Sequence, residues 1–256
     1  MASQRGSPSR DNPAAFRRDT LSPCLLRVRR DIAEITADPP PGVFVAPNES
    51  DITRIDAIVV GPADTPYEGG FFRFRITCPP GYPMEPPEVI FLTTDAGRVQ
   101  LHEHLHSDGH VCLSIIGTWE GPQWSPALSL GSLLVSIQSM LSEKPEFNQQ
   151  LWWRESGAIL RHDAVRVAVC DVVEECLQGD WTYPPALRDG VLQTFAGSCA
   201  KLEGRLSAGQ HLCGTRYRPA RSCDGCKNLL QRIQGLRVKV KEVMDRAAVS
   251  SASAQQ

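Results

Sequence analysis

Between positions 43 and 92 the chain carries four short runs of β-branched and aromatic residues, at 43–45, 54–60, 71–77 and 89–92. Each is bounded by turn chemistry: Pro47-Asn48-Glu49-Ser50-Asp51, then Gly61-Pro62-Ala63-Asp64-Thr65-Pro66, then Pro79-Pro80-Gly81-Tyr82-Pro83. Parallel pairing needs a crossover of about a dozen residues or more, whereas consecutive strands on short links pair antiparallel. The expectation is an antiparallel meander of four strands. Helical patterns lie on both sides of it, which makes the fold class α+β.

The first helical pattern begins at Ser22, an N-cap residue with Pro23 in the first turn. Leu25, Leu26, Val28, Ile32 and Ile35 form its apolar face, with Arg27, Arg29 and Arg30 on or beside the polar side. Asp38-Pro39-Pro40-Pro41-Gly42 ends it, because proline cannot continue a helix. A second helix is expected to open at Ser125-Pro126 and bury Leu128, Leu130, Leu133, Leu134, Ile137 and Leu141, stopping at Glu143-Lys144-Pro145. A third spans 156–177; Val165 to Val173 is strand-like in composition, but Arg166 and Asp171 interrupt it and favour a helix. After the break at Trp181-Thr182-Tyr183-Pro184-Pro185, helices are expected over 186–206 and, basic at Arg232, Arg237, Lys239 and Lys241, over 224–246. The domain plan is a disordered leader at 1–20, a core at 21–178, a helical C-terminal extension at 179–246 and a disordered tail at 247–256.

A formal net charge of -2 gives no general affinity for nucleic acid or an anionic membrane surface. No apolar run approaches the ~20 residues of a membrane span. Nine cysteines, an odd number without regular spacing, read as free thiols in a reducing compartment, the cytoplasm with the nucleus as a second location.

One of those thiols stands apart. Cys112 ends a stretch in which four of the six histidines, His102, His104, His106 and His110, fall within nine residues. The turn signal Ser107-Asp108-Gly109 precedes it and places the following residues on a short exposed segment. Histidines beside a thiol fit a metal site, a Cys/His nucleophile or a polar loop.

The order of these segments resembles the ubiquitin-conjugating enzymes. Asp38-Pro39-Pro40 is similar to the end of that family's first helix, and Gly61-Pro62 through Tyr67-Glu68-Gly69-Gly70-Phe71-Phe72 to its turn between the second and third strands. Tyr82-Pro83-Met84-Glu85-Pro86-Pro87 resembles the proline box; Gly109-His110-Val111-Cys112-Leu113-Ser114-Ile115 and Trp124-Ser125-Pro126-Ala127 resemble the active-site flank and the next helix start. The resemblance covers about 21–148. The loop Gly117-Thr118-Trp119-Glu120-Gly121-Pro122 and the segment from His162 to Asp171 are similar to the Z-type branch of the family, which carries a C-terminal extension.

The resemblance implies a UBC-like fold and an acyl-transfer enzyme without a cofactor. Cys112 would take ubiquitin or a ubiquitin-like modifier from an activating enzyme as a thioester, then yield it to a lysine of a protein substrate or to a ubiquitin ligase. A thiolate is a good nucleophile and a thioester a reactive acyl donor. Where the family has His-Pro-Asn, this sequence has His102-Glu103-His104. His102 is expected to hold the loop, and His104 to support the loop or donate to the developing oxyanion in place of asparagine. Asn148 falls where the family orients the incoming lysine, with Glu143 as the other candidate. Arg27 and Arg30 are assigned to the activating enzyme, and Met84, Pro126 and Ala127 to the ligase. Two other readings stand beside this one. The departure at His104 fits a catalytically weak scaffold that binds pathway partners. Zinc binding would use the four histidines, or His211, Cys213, Cys223 and Cys226.

Overall fold

The computed structural model describes residues 22–142, 156–178, 184–207 and 224–253. Helix α1 (Pro23–Ala37) is capped by Ser22, whose Oγ accepts from Leu25 N at 3.2 Å. Strands β1 (Val43–Pro47), β2 (Arg54–Val60), β3 (Phe71–Thr77) and β4 (Glu88–Phe91) follow. They form one four-stranded sheet in the order β1-β2-β3-β4, each neighbour antiparallel, as the short links require. Pro47 is tolerated at the end of β1 because that strand is an edge and needs no N–H there. The remaining helices are α2 (Leu130–Ser142), α3 (Ser156–Asp163), a π-helical stretch (Ala164–Asp171), α4 (Val172–Leu177), α5 (Pro185–Ser207) and α6 (Asp224–Ser253).

Alternation along the strands divides the apolar residues between two cores. Ile55, Ala57, Val59, Phe72, Phe74 and Ile76 point to one face and pack with Val28 and Ile35 of α1 and with Leu133, Leu134, Ile137 and Leu141 of α2. Ala46, Ile58 and Phe71 point to the other face, where the π-helical stretch, α4, α5 and α6 cover them. The π-helical stretch serves both sides: Ala164, Val167 and Ala168 enter the first core, Val165, Val169 and Cys170 the second. Burial on two sides explains its strand-like composition, and only Arg166 and Asp171 are left to a narrow, partly exposed polar edge.

Two expectations change. Helix α2 starts at Leu130 rather than at Ser125-Pro126, because Ser129 Oγ accepts from Ser132 N at 3.2 Å and caps it there. Helix α6 does not stop near Arg246; it runs to Ser253, so most of the tail expected to be disordered at 247–256 is helical. Ala247, Ala248 and their small neighbours contain no glycine or proline to break it. The extension packs on the sheet, where its buried residues complete the second core. Gly190 lets α5 lie on β1, where an added Cβ would stand 2.8 Å from Phe44 Cδ1. Lys201 Nζ and Arg205 Nη1 each hold Glu68 at 2.6 Å, and Arg232 of α6 reaches Asp171 and Glu174 at 2.6 Å. The expected leader lies outside the described residues. Among the described residues no helix is long and apolar enough to cross a membrane.

Candidate active site

The histidine-rich stretch folds into a small two-stranded ladder. His106 N–H donates to His110 O at 2.9 Å, Leu105 bridges Val111, and Cys112 N–H donates to His104 O at 2.9 Å. Gly109 closes the turn at φ +94°, a conformation that favours glycine, and Asp108 Oδ1 accepts from His110 N at 2.9 Å. Side chains alternate across such a ladder. Leu105 and Val111 therefore sink into the core, while His104, His106, His110 and Cys112 share the opposite face.

On that face His106 Nε2 lies 3.4 Å from Cys112 Sγ. The His106 and His110 rings meet edge to face at 5.6 Å, and His104 packs on Trp119 at 4.8 Å. Thr118 fixes the segment after the thiol: its Oγ1 accepts from Leu113 N at 2.9 Å and donates to Val111 O at 2.6 Å. A 3-10 turn at Ser114–Ile116 then leads to Gly117 in the left-handed region. Trp124 anchors the far side through Nε1, which donates to Pro83 O at 2.7 Å.

Burial sets the electrostatics. Cys112 is 7% exposed, and desolvation, aided by the Asp108 carboxylate, raises its thiol above the usual cysteine range. His102 is buried on the core side, and desolvation with the neighbouring His104 lowers it to about 4. It is therefore neutral at physiological pH, which leaves Nδ1 free to accept the His104 N–H at 3.0 Å. The raised thiol has a measurable consequence. Iodoacetamide labelling of Cys112, followed by peptide mass spectrometry, is expected to climb about tenfold per pH unit and to reach half-maximum at a higher pH than a free cysteine does. A half-maximum at or below that of a free cysteine would contradict the burial argument.

The structure brings some expected site residues together and turns others away. His102 lies buried in the loop, its Nδ1 accepting from the His104 N–H. The contact of His104 with Cys112 runs through its carbonyl, while its ring faces Trp119 and lies 3.8 Å from Glu103 Oε1. Arg30 and Met84, each 75% exposed, and the exposed Pro126 and Ala127 are open to partners. Arg27 is turned inward: its guanidinium donates to the carbonyls of Pro126 and Leu128 and pairs with Asp31 at 2.7 Å. It shapes the loop that carries Pro126 and Ala127. Asn148 and Glu143 lie outside the described residues.

Two residues here escaped sequence reasoning. Asp31, 1% exposed, accepts from Arg27, Tyr82 and Leu130 N and ties α1 to the proline turn and to the start of α2. Its signal is a carboxylate placed on the apolar face between Val28 and Ile35. His106 was visible as one histidine among four, but its place beside the thiol depends on the ladder register. Among the described residues no three His, Cys, Asp or Glu side chains form a group that could hold a metal ion. His211, Cys213, Cys223 and the side chain of Cys226 lie outside them.

The family profile for ubiquitin-conjugating enzyme matches residues 27–169. The chain is 41% identical over 231 residues to ubiquitin-conjugating enzyme E2 Z of Xenopus tropicalis, covering 86% of this chain and 72% of that protein. It is 45% identical over 184 residues to the Homo sapiens protein of the same name, covering 69% and 51%. A solved structure of human ubiquitin-conjugating enzyme E2 G1 aligns with 47% of this chain and 94% of its own at 31% identity, with a TM-score of 0.41.

Proposed function

The chain belongs to the ubiquitin-conjugating enzyme family, and from that premise we propose that Cys112 is the residue that carries the modifier as a thioester. The observation that carries this reading is the placement of Cys112. Its Sγ lies on the outward face of a ladder whose other face is anchored in the core, within the matched stretch and beside a histidine ring. The acyl group arrives from an activating enzyme that has used ATP, and it leaves to a substrate lysine or to a ligase cysteine. Arg30, Met84, Pro126 and Ala127 are the exposed residues through which such partners would dock, with Arg27 holding their loop in shape. His104 presents its ring toward Trp119, so its contribution to transfer is loop support. A carrier thiol also requires a reducing compartment, which fits the cytoplasm and nucleus.

The test uses purified chain with activating enzyme, ATP and ubiquitin or another modifier. Wild type should form an adduct that reductant removes; Cys112→Ser should give only a reductant-resistant ester, and Cys112→Ala none. If wild type forms no adduct with any of a panel of activating enzymes, the acyl-carrier reading fails and a partner-binding scaffold takes its place.

A further inference from the structure

The 3.4 Å approach of His106 Nε2 to Cys112 Sγ follows from how the ladder is paired. His106 stands opposite His110 at the turn and His104 opposite Cys112, so His106 is the diagonal neighbour of the thiol on one face. Diagonal neighbours on a two-stranded ladder lie within reach of long side chains. The register cannot slip by one residue, because Leu105 and Val111 would leave the core together. The turn fixes the same register through Gly109 and Asp108. The His110 ring backs His106, and Trp119 occupies His104, leaving His106 as the ring that meets the sulfur.

We propose that His106 is the general base for transfer onto Cys112, accepting the thiol proton at Nε2 as the sulfur attacks the incoming acyl carbon. This rests on Cys112 being the acyl carrier. The step balances without any further reagent. The S–H bond of Cys112 breaks and its proton moves to Nε2; a bond forms between Sγ and the acyl carbon. The bond from that carbon to the cysteine sulfur of the activating enzyme breaks, and His106 returns the proton to the departing thiolate. The role requires the tautomer with its proton on Nδ1. The burial that keeps this thiol protonated at neutral pH is what makes a local base useful. The groups against His106 are the Cys112 thiol and the His110 ring, while the Asp108 carboxylate of the same loop accepts from His110 N–H and acts on the Cys112 thiol. From the sheet, β4 contributes Ile90, which bridges His110 and brings no charge.

Two pH profiles on the full chain separate this role from a packing role: single-turnover transfer from charged activating enzyme, and iodoacetamide labelling of Cys112. In wild type, transfer should reach its plateau at a lower pH than labelling does, because the base and the thiol titrate separately. In His106→Gln, with His106→Phe as a second variant, transfer near pH 7 should fall about 10²-fold and then follow the labelling curve upward. Dissolved imidazole should restore part of the rate to His106→Ala. Unchanged labelling of Cys112 at high pH shows that the loop is still folded. Wild-type transfer that tracks labelling throughout, or a loss in His106→Gln that is the same at every pH, overturns the proposal. If wild type takes no acyl group at any pH while Cys112 labels normally, the carrier reading has failed first and takes the proposal with it.

Discussion

Asp31→Ala is expected to cost about 3–5 kcal/mol of stability, the usual result of removing one partner from a buried charged cluster. The carboxylate is 1% exposed and accepts from three places at once: Arg27 Nε at 2.7 Å, Tyr82 Oη, and Leu130 N at 3.2 Å. Without it, a partly buried guanidinium loses its counter-charge, a buried phenol loses its acceptor, and the first N–H of α2 is left uncapped. Each loss is a desolvation penalty that no water at that depth repairs easily. Domain stabilities are typically 5–15 kcal/mol, so the loss is a large fraction of the total. The urea midpoint and Tm should both fall, Tm by about 10 °C. Asp31→Asn keeps an acceptor and should lose less. A change below about 1 kcal/mol in Asp31→Ala would show that the cluster is not what joins α1, the proline turn and α2.

A chain ending at Gln178 is expected to lose cooperative folding altogether. Removing α5 and α6 uncovers Ile58, Phe71, Val169, Val172 and Val173, all buried in the second core, together with Ala46 and Cys170. At about 1.5–3 kcal/mol for each large apolar side chain returned to water, five such residues approach the whole stability of a domain. The ion pairs of Glu68 with Lys201 and Arg205, and of Arg232 with Asp171 and Glu174, vanish at the same time. The truncated protein should bind a hydrophobic dye, broaden its urea transition or precipitate. A sharp transition at the wild-type midpoint would mean that the back of the sheet does not need this cover. Gly190→Leu gives a milder version of the same lesion, since its side chain would push against Phe44.

These two results mark where legibility stopped. The first core could be read from the sequence because its signals are local. Period-two alternation places Ile55, Ala57 and Val59 on one face, and turn residues too few for a crossover require antiparallel pairing. The second core could not be read in the same way. Phe44, Ile58 and Phe71 sit on the face of the strands that one buried sheet side would leave to solvent, and nothing nearby in the sequence says that helices starting over a hundred positions later will cover them. At 165–173 the local pattern was ambiguous between strand and helix because the segment is buried against both cores, which only its two sets of neighbours reveal.

The same division runs through the active site. By itself the sequence determined that a cysteine follows a glycine turn in a run of alternating histidines, and that the segments around it come in the order of a known family. It determined Ser22 as a cap and Gly109 as the residue of positive φ, because each depends on a few adjacent residues. Only the tertiary structure decided which histidine meets the thiol. That depends on pairing register, held by Leu105 and Val111 in the core, and register is a relation between two strands. Only the tertiary structure, likewise, turned Arg27 from an apparent surface cation into a brace for the Pro126 loop. The carbonyls that receive it lie about a hundred residues away, and proximity across that separation is created by folding.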